Sequence, residues 1–354
     1  MPTAQGEAEL RRQIGQMLLV GFRGCELADS APIVEDVRDR NLGGVVLFDE
    51  EMTDGSRGER NVRSPAQLRK LVTFLQGRAQ TPLFIAIDQE GGRVNRLKAS
   101  RGFPETLSHE ELGQLNDPAR TFAHAEVIAS TLAGLGINLN LAPVVDLDAN
   151  PNNPIISGKG RSFSADPRAV ATHAAEFVRA HREHGVLTCA KHFPGHGSAR
   201  GDTHHGLVDV TDTWRKRELL PFKHLIDSSL CDMIMSAHVF NANLDPDRPA
   251  TLSPLVLTGI LRNELRYRGV IVSDDLEMKA IAGHYGLEKA VEEAINAGVD
   301  VLCFGNNMNY DAGIARKAID IIAGLVKSGR VTSWRIEEAS SRVLALKRRA
   351  GILG

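Results

Sequence analysis

Short runs of consecutive apolar residues recur along the chain, at Met17–Phe22, Gly44–Phe48, Leu83–Ile87, Ile137–Leu141, Val186–Ala190, Met233–Ser236, Val270–Ser273 and Val299–Phe304. They are apolar at successive positions instead of alternating, as strands of a parallel sheet covered on both faces are. Between most of them lie stretches with helical spacing. Glu7–Gln16 precedes the first run. Ser64 opens a helix with Leu68, Leu71, Val72 and Leu75 on its apolar face. Asp117 opens another, with Gly134 as its expected stop. Asp166 and Pro167 offer the next a cap and a first-turn proline. Asp212–Thr213 precedes one more, and Ser253–Pro254 caps a helix reaching to Leu265. Glu288–Ala297, Ala312–Lys327 and Ile336–Arg349 complete the series.

Eight runs alternating with helices predict an α/β protein, a single (β/α)8 barrel of the TIM type over residues 1–354. A doubly wound open sheet uses the same alternation but gathers its polar groups at one switch point. Here polar groups follow the third through seventh runs, which suits a barrel mouth. No internal repeat or long linker is visible. The charged, Gly- and Ser-containing segment Glu50–Val62 is expected to be a mobile surface loop.

Composition narrows the partners. The chain has 354 residues, 42% hydrophobic and 24% charged, with a formal net charge of −2. No basic stripe marks a nucleic-acid surface. The cluster Lys347–Arg348–Arg349 reads as a solvated helix end, where cations suit the dipole. No run approaches the ~18 apolar residues of a membrane span, and Met1–Gly24 lacks the form of a secretory signal. Cys25, Cys189, Cys231 and Cys303 are scattered, as buried free thiols are. A cytoplasmic monomer acting on a small molecule is expected, with no nucleic acid and no membrane insertion.

The chemistry concentrates in Lys191–His205, where four histidines, one aspartate and two cations share a stretch broken by Pro194, Gly195, Gly197 and Gly201. It reads as an irregular, mobile loop at the end of the fifth strand, a usual place for reactive groups. Two other runs end alike, in Asp88–Gln89–Glu90–Gly91–Gly92–Arg93–Val94 and in Asp274–Asp275–Leu276.

These three segments resemble glycoside hydrolase family 3, in its short bacterial β-N-acetylglucosaminidase form. The matching pattern is Lys-His-Phe-Pro-Gly-His-Gly at 191–197, then Asp-Thr-His at 202–204, with Asp-Gln-Glu-Gly-Gly-Arg-Val at 88–94 and Ser-Asp-Asp-Leu at 273–276. The resemblance runs over residues 10 to 350. It implies a retaining enzyme that removes terminal β-linked N-acetylglucosamine, with muropeptides of cell-wall turnover as substrates and no metal or organic cofactor. Asp274 matches the nucleophile and His204 the acid/base. Asp202, two residues before His204, shares its face in an extended segment and is placed to orient the imidazole. Asp88, Arg96, Arg161, Lys191 and His192 match sugar-binding positions. Asp146 is open between lining the site and holding a loop, His238 between binding and support, and His196 is expected to brace the loop. His205 departs from the family pattern and puts the leaving-group preference in doubt.

Other readings remain open from the residues themselves. Histidine as acid/base also suits a phosphorylase, because it does not repel phosphate. His192, His196, Asp202, His204 and His205 offer enough donors for a zinc hydrolase. The adjacent pair Asp274–Asp275 suits a substrate-assisted step. A sensor of cell-wall fragments would bind sugar without turnover.

Overall fold

The structure, a computed structural model, describes residues 4–51, 58–203 and 206–354, without the side chain of Ala282. His204 and His205 therefore lie outside the described residues. The eight expected strands are present: β1 (Leu18–Gly21), β2 (Gly44–Leu47), β3 (Phe84–Ile87), β4 (Leu139–Asn140), β5 (Leu187–Phe193), β6 (Met233–Ser236), β7 (Val270–Ser273) and β8 (Leu302–Phe304). They form one parallel sheet in the order β7-β6-β5-β4-β3-β2-β1-β8. The two edge strands meet through a bridge between Val272 and Val301, and Ser273 N–H donates to Val301 O at 2.9 Å. The sheet thus closes into a barrel. The helices around it are α1 (Ala4–Gln16), α2 (Pro32–Asp39), α3 (Pro65–Gln76), α4 (His109–Leu115), α5 (Pro118–Leu135), α6 (Pro167–Glu183), α7 (Leu220–Asp227), α8 (Lys279–Tyr285), α9 (Leu287–Ala297), α10 (Ile314–Lys327) and α11 (Ser333–Arg349), with a π-helical segment at Leu255–Glu264. No helix among the described residues is long and apolar enough to cross a membrane.

Local chemistry accounts for the boundaries. The Ser64 and Asp166 side chains cap α3 and α6. Helix α5 runs past Gly134 and stops at Gly136, whose φ of 79° no β-carbon favours. Ile137 N–H still caps that helix by donating to Leu132 O, so β4 starts later than the apolar run. Strand β5 is longer. It continues through Lys191, His192 and Phe193 because Lys191 N–H donates to Pro143 O and Phe193 O accepts from Ala237 N–H. The first three residues of the expected irregular loop are therefore strand.

Side-chain alternation sorts the sheet into two shells. Leu19, Val46, Phe84, Ala86, Cys189, Met233, Met235, Val270, Val272 and Cys303 fill the barrel interior. Their neighbours Leu18, Val20, Val45, Leu47, Ile85, Ile87, Ile234 and Ile271 pack outward with the helices. Val343 and Leu346 of α11 join the inner shell from below. Two expectations change. Of the expected surface loop Glu50–Val62, residues 52–57 lie outside the described residues, and Arg60, Asn61 and Val62 are fully buried. The Arg60 guanidinium reaches the carbonyls of Phe22, Gly305 and Asn306 and the side chain of Asn307. Nor is Lys347 solvated. It is fully buried, with Nζ donating to Gln16 Oε1 at 2.9 Å and Gly43 O at 2.8 Å.

Burial pushes Lys347 down from 10.5 to about 7. Between those values the unfolded chain holds a proton that the folded chain has lost, so this group makes stability rise with pH. The urea stability of wild type minus K347M is expected to climb between pH 7 and 9.5, by on the order of 1 kcal/mol per unit. Parallel curves would contradict it.

Candidate active site

The inward register of three strands ends in charge. Counting by two from Phe84 and Ala86 reaches Asp88, from Leu187 and Cys189 reaches Lys191, and from Val270 and Val272 reaches Asp274. All three side chains are thereby aimed into the C-terminal mouth of the barrel. The Cys303 thiol in the interior, raised by burial, also feels Asp275, Asp274 and Asp88.

A continuous polar network lines one side of that mouth. Lys191 Nζ lies 2.7 Å from Asp88 Oδ1 and 2.7 Å from Glu90 Oε1. Arg161 grips the same Glu90 carboxylate with two bonds of 2.7 Å. Its Nη2 stands 3.3 Å from His192 Nε2, and His192 Nδ1 is 2.6 Å from Asp146 Oδ2. Asp146 Oδ1 accepts from His196 N–H at 2.7 Å. Burial alone would raise the Glu90 carboxyl, but Arg161 and Lys191 overcome it and hold it well below its ordinary range. Asp146 is held low in the same way by His192 and His196. Burial opposes the charge of Lys191, and Asp88 and Glu90 more than restore it.

The outer residues are looser. Arg96 stands 3.8 Å from Asp88 and 3.7 Å from Asp49, and its buried Nε has no protein partner among the described residues. A guanidinium so placed has donors left for a ligand. Lys159 feels Arg161, Asp202, Glu90 and Arg96 together, which puts Asp202 at the same mouth. Thr203 O accepts from Ala280 N–H at 3.3 Å, tying the histidine-rich segment to the start of α8. Asp274 N–H donates to Ser236 O at 3.2 Å, and its Oδ1 accepts from Asp275 N–H at 2.9 Å.

The structure thus brings Asp88, Arg96, Arg161, Lys191 and His192 together, with Asp202 and Asp274 at the same opening. His204 lies outside the described residues. Asp146 is a buried support for His192 and the loop. His238 is a support as well: its Nδ1 meets Thr251 Oγ1 and its Nε2 meets Asp275 O, both at 2.9 Å. His196 braces through its main chain, because its buried ring nitrogens have no partner among the described residues. The loop around Gly195–Gly201, expected to be mobile, is packed over its first part and exposed at Arg200. Residues 194–199 are buried, and a β-carbon on Gly197 would come within 1.8 Å of Leu147 O, so that glycine serves close approach. Glu90 was not singled out from sequence, although it lies two residues from Asp88 and so shares its register. Asp49, at the end of β2, carried no signal. Among the described residues no three His, Cys, Asp or Glu side chains gather as a metal cluster.

Removing the charge of Glu90 leaves two buried cations facing each other. E90Q is expected to cost about 3 kcal/mol of stability by urea denaturation. A loss below about 1 kcal/mol would show that Asp88 alone balances Lys191 and Arg161.

Four matches to known proteins bear on this arrangement. Residues 9–346 match the glycosyl hydrolase family 3 N-terminal domain. The chain is 34% identical to β-hexosaminidase A of Pseudoalteromonas piscicida, over 97% of this chain and 62% of that protein. It is 37% identical to a β-hexosaminidase of Tolumonas auensis, over 82% of this chain and 83% of that protein. A solved family 3 β-N-acetylglucosaminidase from Paenibacillus sp. superposes with a TM-score of 0.87 at 37% identity, covering 97% of this chain and 63% of that one. The chain therefore spans less than two thirds of two of these relatives. With the barrel and its charged mouth, these matches make the chain a member of glycoside hydrolase family 3.

Proposed function

We propose that the chain is a retaining β-N-acetylhexosaminidase that removes terminal β-linked N-acetylglucosamine. The observation that carries this reading is the convergence of Asp274 with the Asp88–Lys191–Glu90–Arg161–His192 network at one barrel mouth. In this reading Asp88, Arg96, Lys191, Arg161 and His192 bind the sugar. Carboxylate and cation together suit a pyranose, whose hydroxyls both donate and accept. The charge of Lys191 is kept by Asp88 and Glu90, so it is available to a hydroxyl or acetamido oxygen at neutral pH.

Asp274 attacks the anomeric carbon from a stiff strand end, while His204 protonates the departing oxygen. The bond from the anomeric carbon to the leaving oxygen breaks as the bond to the Asp274 oxygen forms. His204, now neutral, takes a proton from water, and the resulting hydroxide releases the sugar from Asp274. Asp202 fixes the imidazole tautomer. Muropeptides from cell-wall turnover are the proposed natural substrates, the cytoplasm the proposed site of action, and a monomer the proposed form.

The test is hydrolysis of para-nitrophenyl β-N-acetylglucosaminide with chelator present. D274A is expected to retain less than about one thousandth of the wild-type kcat. H204A is expected to lose about 10²–10⁴ on a methyl glycoside, whose leaving group needs the proton, and much less on the nitrophenyl one. Equal turnover by wild type and D274A would overturn the assignment. Loss of all activity in chelator would favour the metal-dependent reading, and sugar 1-phosphate formed in phosphate buffer would favour phosphorolysis.

A further inference from the structure

A second buried carboxyl lies under the segment that leads into Asp202 and His204, and nothing in the reaction above uses it. Glu218 belongs to a short 3₁₀ turn, Lys216–Leu219, just before α7, and is 1% exposed. Its Oε1 accepts from Arg215 N–H at 3.2 Å. Its Oε2 has no hydrogen-bond partner among the described residues, and neither does the buried Ser198 hydroxyl. Burial disfavours the charged form of this carboxyl, and the nearby Ser198 hydroxyl and N–H offset that only in part. A β-carbon built on Gly195 would lie 2.7 Å from Glu218 Cβ and 2.8 Å from Oε2. The two segments therefore touch. Beside this contact Trp214 Nε1 donates to Pro194 O at 3.1 Å.

We infer that Glu218 is a positioning residue for the acid/base segment: while it carries its proton it seats Pro194–Ser198, and its ionisation unseats them. A neutral carboxyl can donate to Ser198 Oγ and satisfy both orphan oxygens at once. Among the described residues no cation is paired with a carboxylate here. Arg215 turns its guanidinium to the carbonyls of Asp212 and Trp214, at 2.7 and 2.8 Å. Across the contact Asp146 adds a like charge. His196 offers no charge near neutrality, since burial pushes it down to about 4. From the described part of the loop, Ser198 and the backbone at Gly195 approach Glu218. An unpaired buried carboxylate is costly, and the cheapest relief is for the loop to lift and admit water. Burial accordingly raises Glu218 from 4.5 to about 7. The folded chain keeps a proton there that the unfolded chain has lost, so the contribution of this group to stability falls as pH rises from 4.5 to 7.

Trp214 reports the seat directly. The chain has two tryptophans, and the other, Trp334, is 65% exposed. W334F therefore leaves Trp214 as the single tryptophan. Its fluorescence is expected to change with a midpoint near pH 7. In W334F/E218Q, where the amide stands in for the neutral acid, the seated spectrum is expected to persist to about pH 9. A transition that survives E218Q, or no transition with Glu218 present, would overturn the inference. The effect on turnover rests on the reading of His204 as acid/base. E218Q is expected to move the alkaline limb of kcat up by roughly one pH unit with KM unchanged, and an unmoved limb would count against it. Should the wild type fail to hydrolyse the sugar, the glycosidase reading falls and the fluorescence result decides the role of Glu218 by itself.

Discussion

One buried carboxylate organises the barrel mouth. Glu90 is 1% exposed and contacts both Lys191 and Arg161, which come from β5 and from the loop after β4. Without its charge, Arg161 would lose its two-bond partner and Lys191 would keep only Asp88. With it, each cation keeps its charge and directs its remaining donors toward neighbours: Lys191 to Asp88, Arg161 to His192. His192 in turn leans on Asp146, which also takes the main chain of His196. The chain of contacts thus begins at a group that need not touch a sugar and ends at the loop that carries the proposed acid/base.

Much of this frame was readable in the sequence. The eight apolar runs became the eight strands because parallel strands buried on both faces leave no alternation to obscure them. Asp88, Lys191 and Asp274 follow those runs at the inward register, so the geometry that aims them into the mouth is the same period-two rule that fills the interior with Phe84, Cys189 and Val272. Caps were equally plain, since Ser64 and Asp166 act locally.

What was hidden depends on contacts between distant segments. Strand β5 extends into the histidine-rich motif because Pro143 and Ala237 offer it partners, and no local signal announces them. Arg60 looked like part of a polar loop, yet carbonyls from residues 22 and 305–306 take its guanidinium into the core. Lys347 looked solvated beside Arg348 and Arg349, but only its exposed neighbours are. The glycines of the histidine-rich segment suggested slack. Gly195 and Gly197 instead let Glu218 and Leu147 come close. In each case charge or backbone freedom was visible, and its partner was not.

The central claim is that Asp274 forms the covalent bond. Its most direct test is to react the protein with 5-fluoro-β-N-acetylglucosaminyl fluoride, a good leaving group on a sugar whose second step is slowed, and to locate the label by peptide mass spectrometry. The account predicts one sugar on the peptide that holds Asp274, and none in D274A. An active enzyme that turns the reagent over without any adduct, or an adduct on another carboxylate, would contradict it.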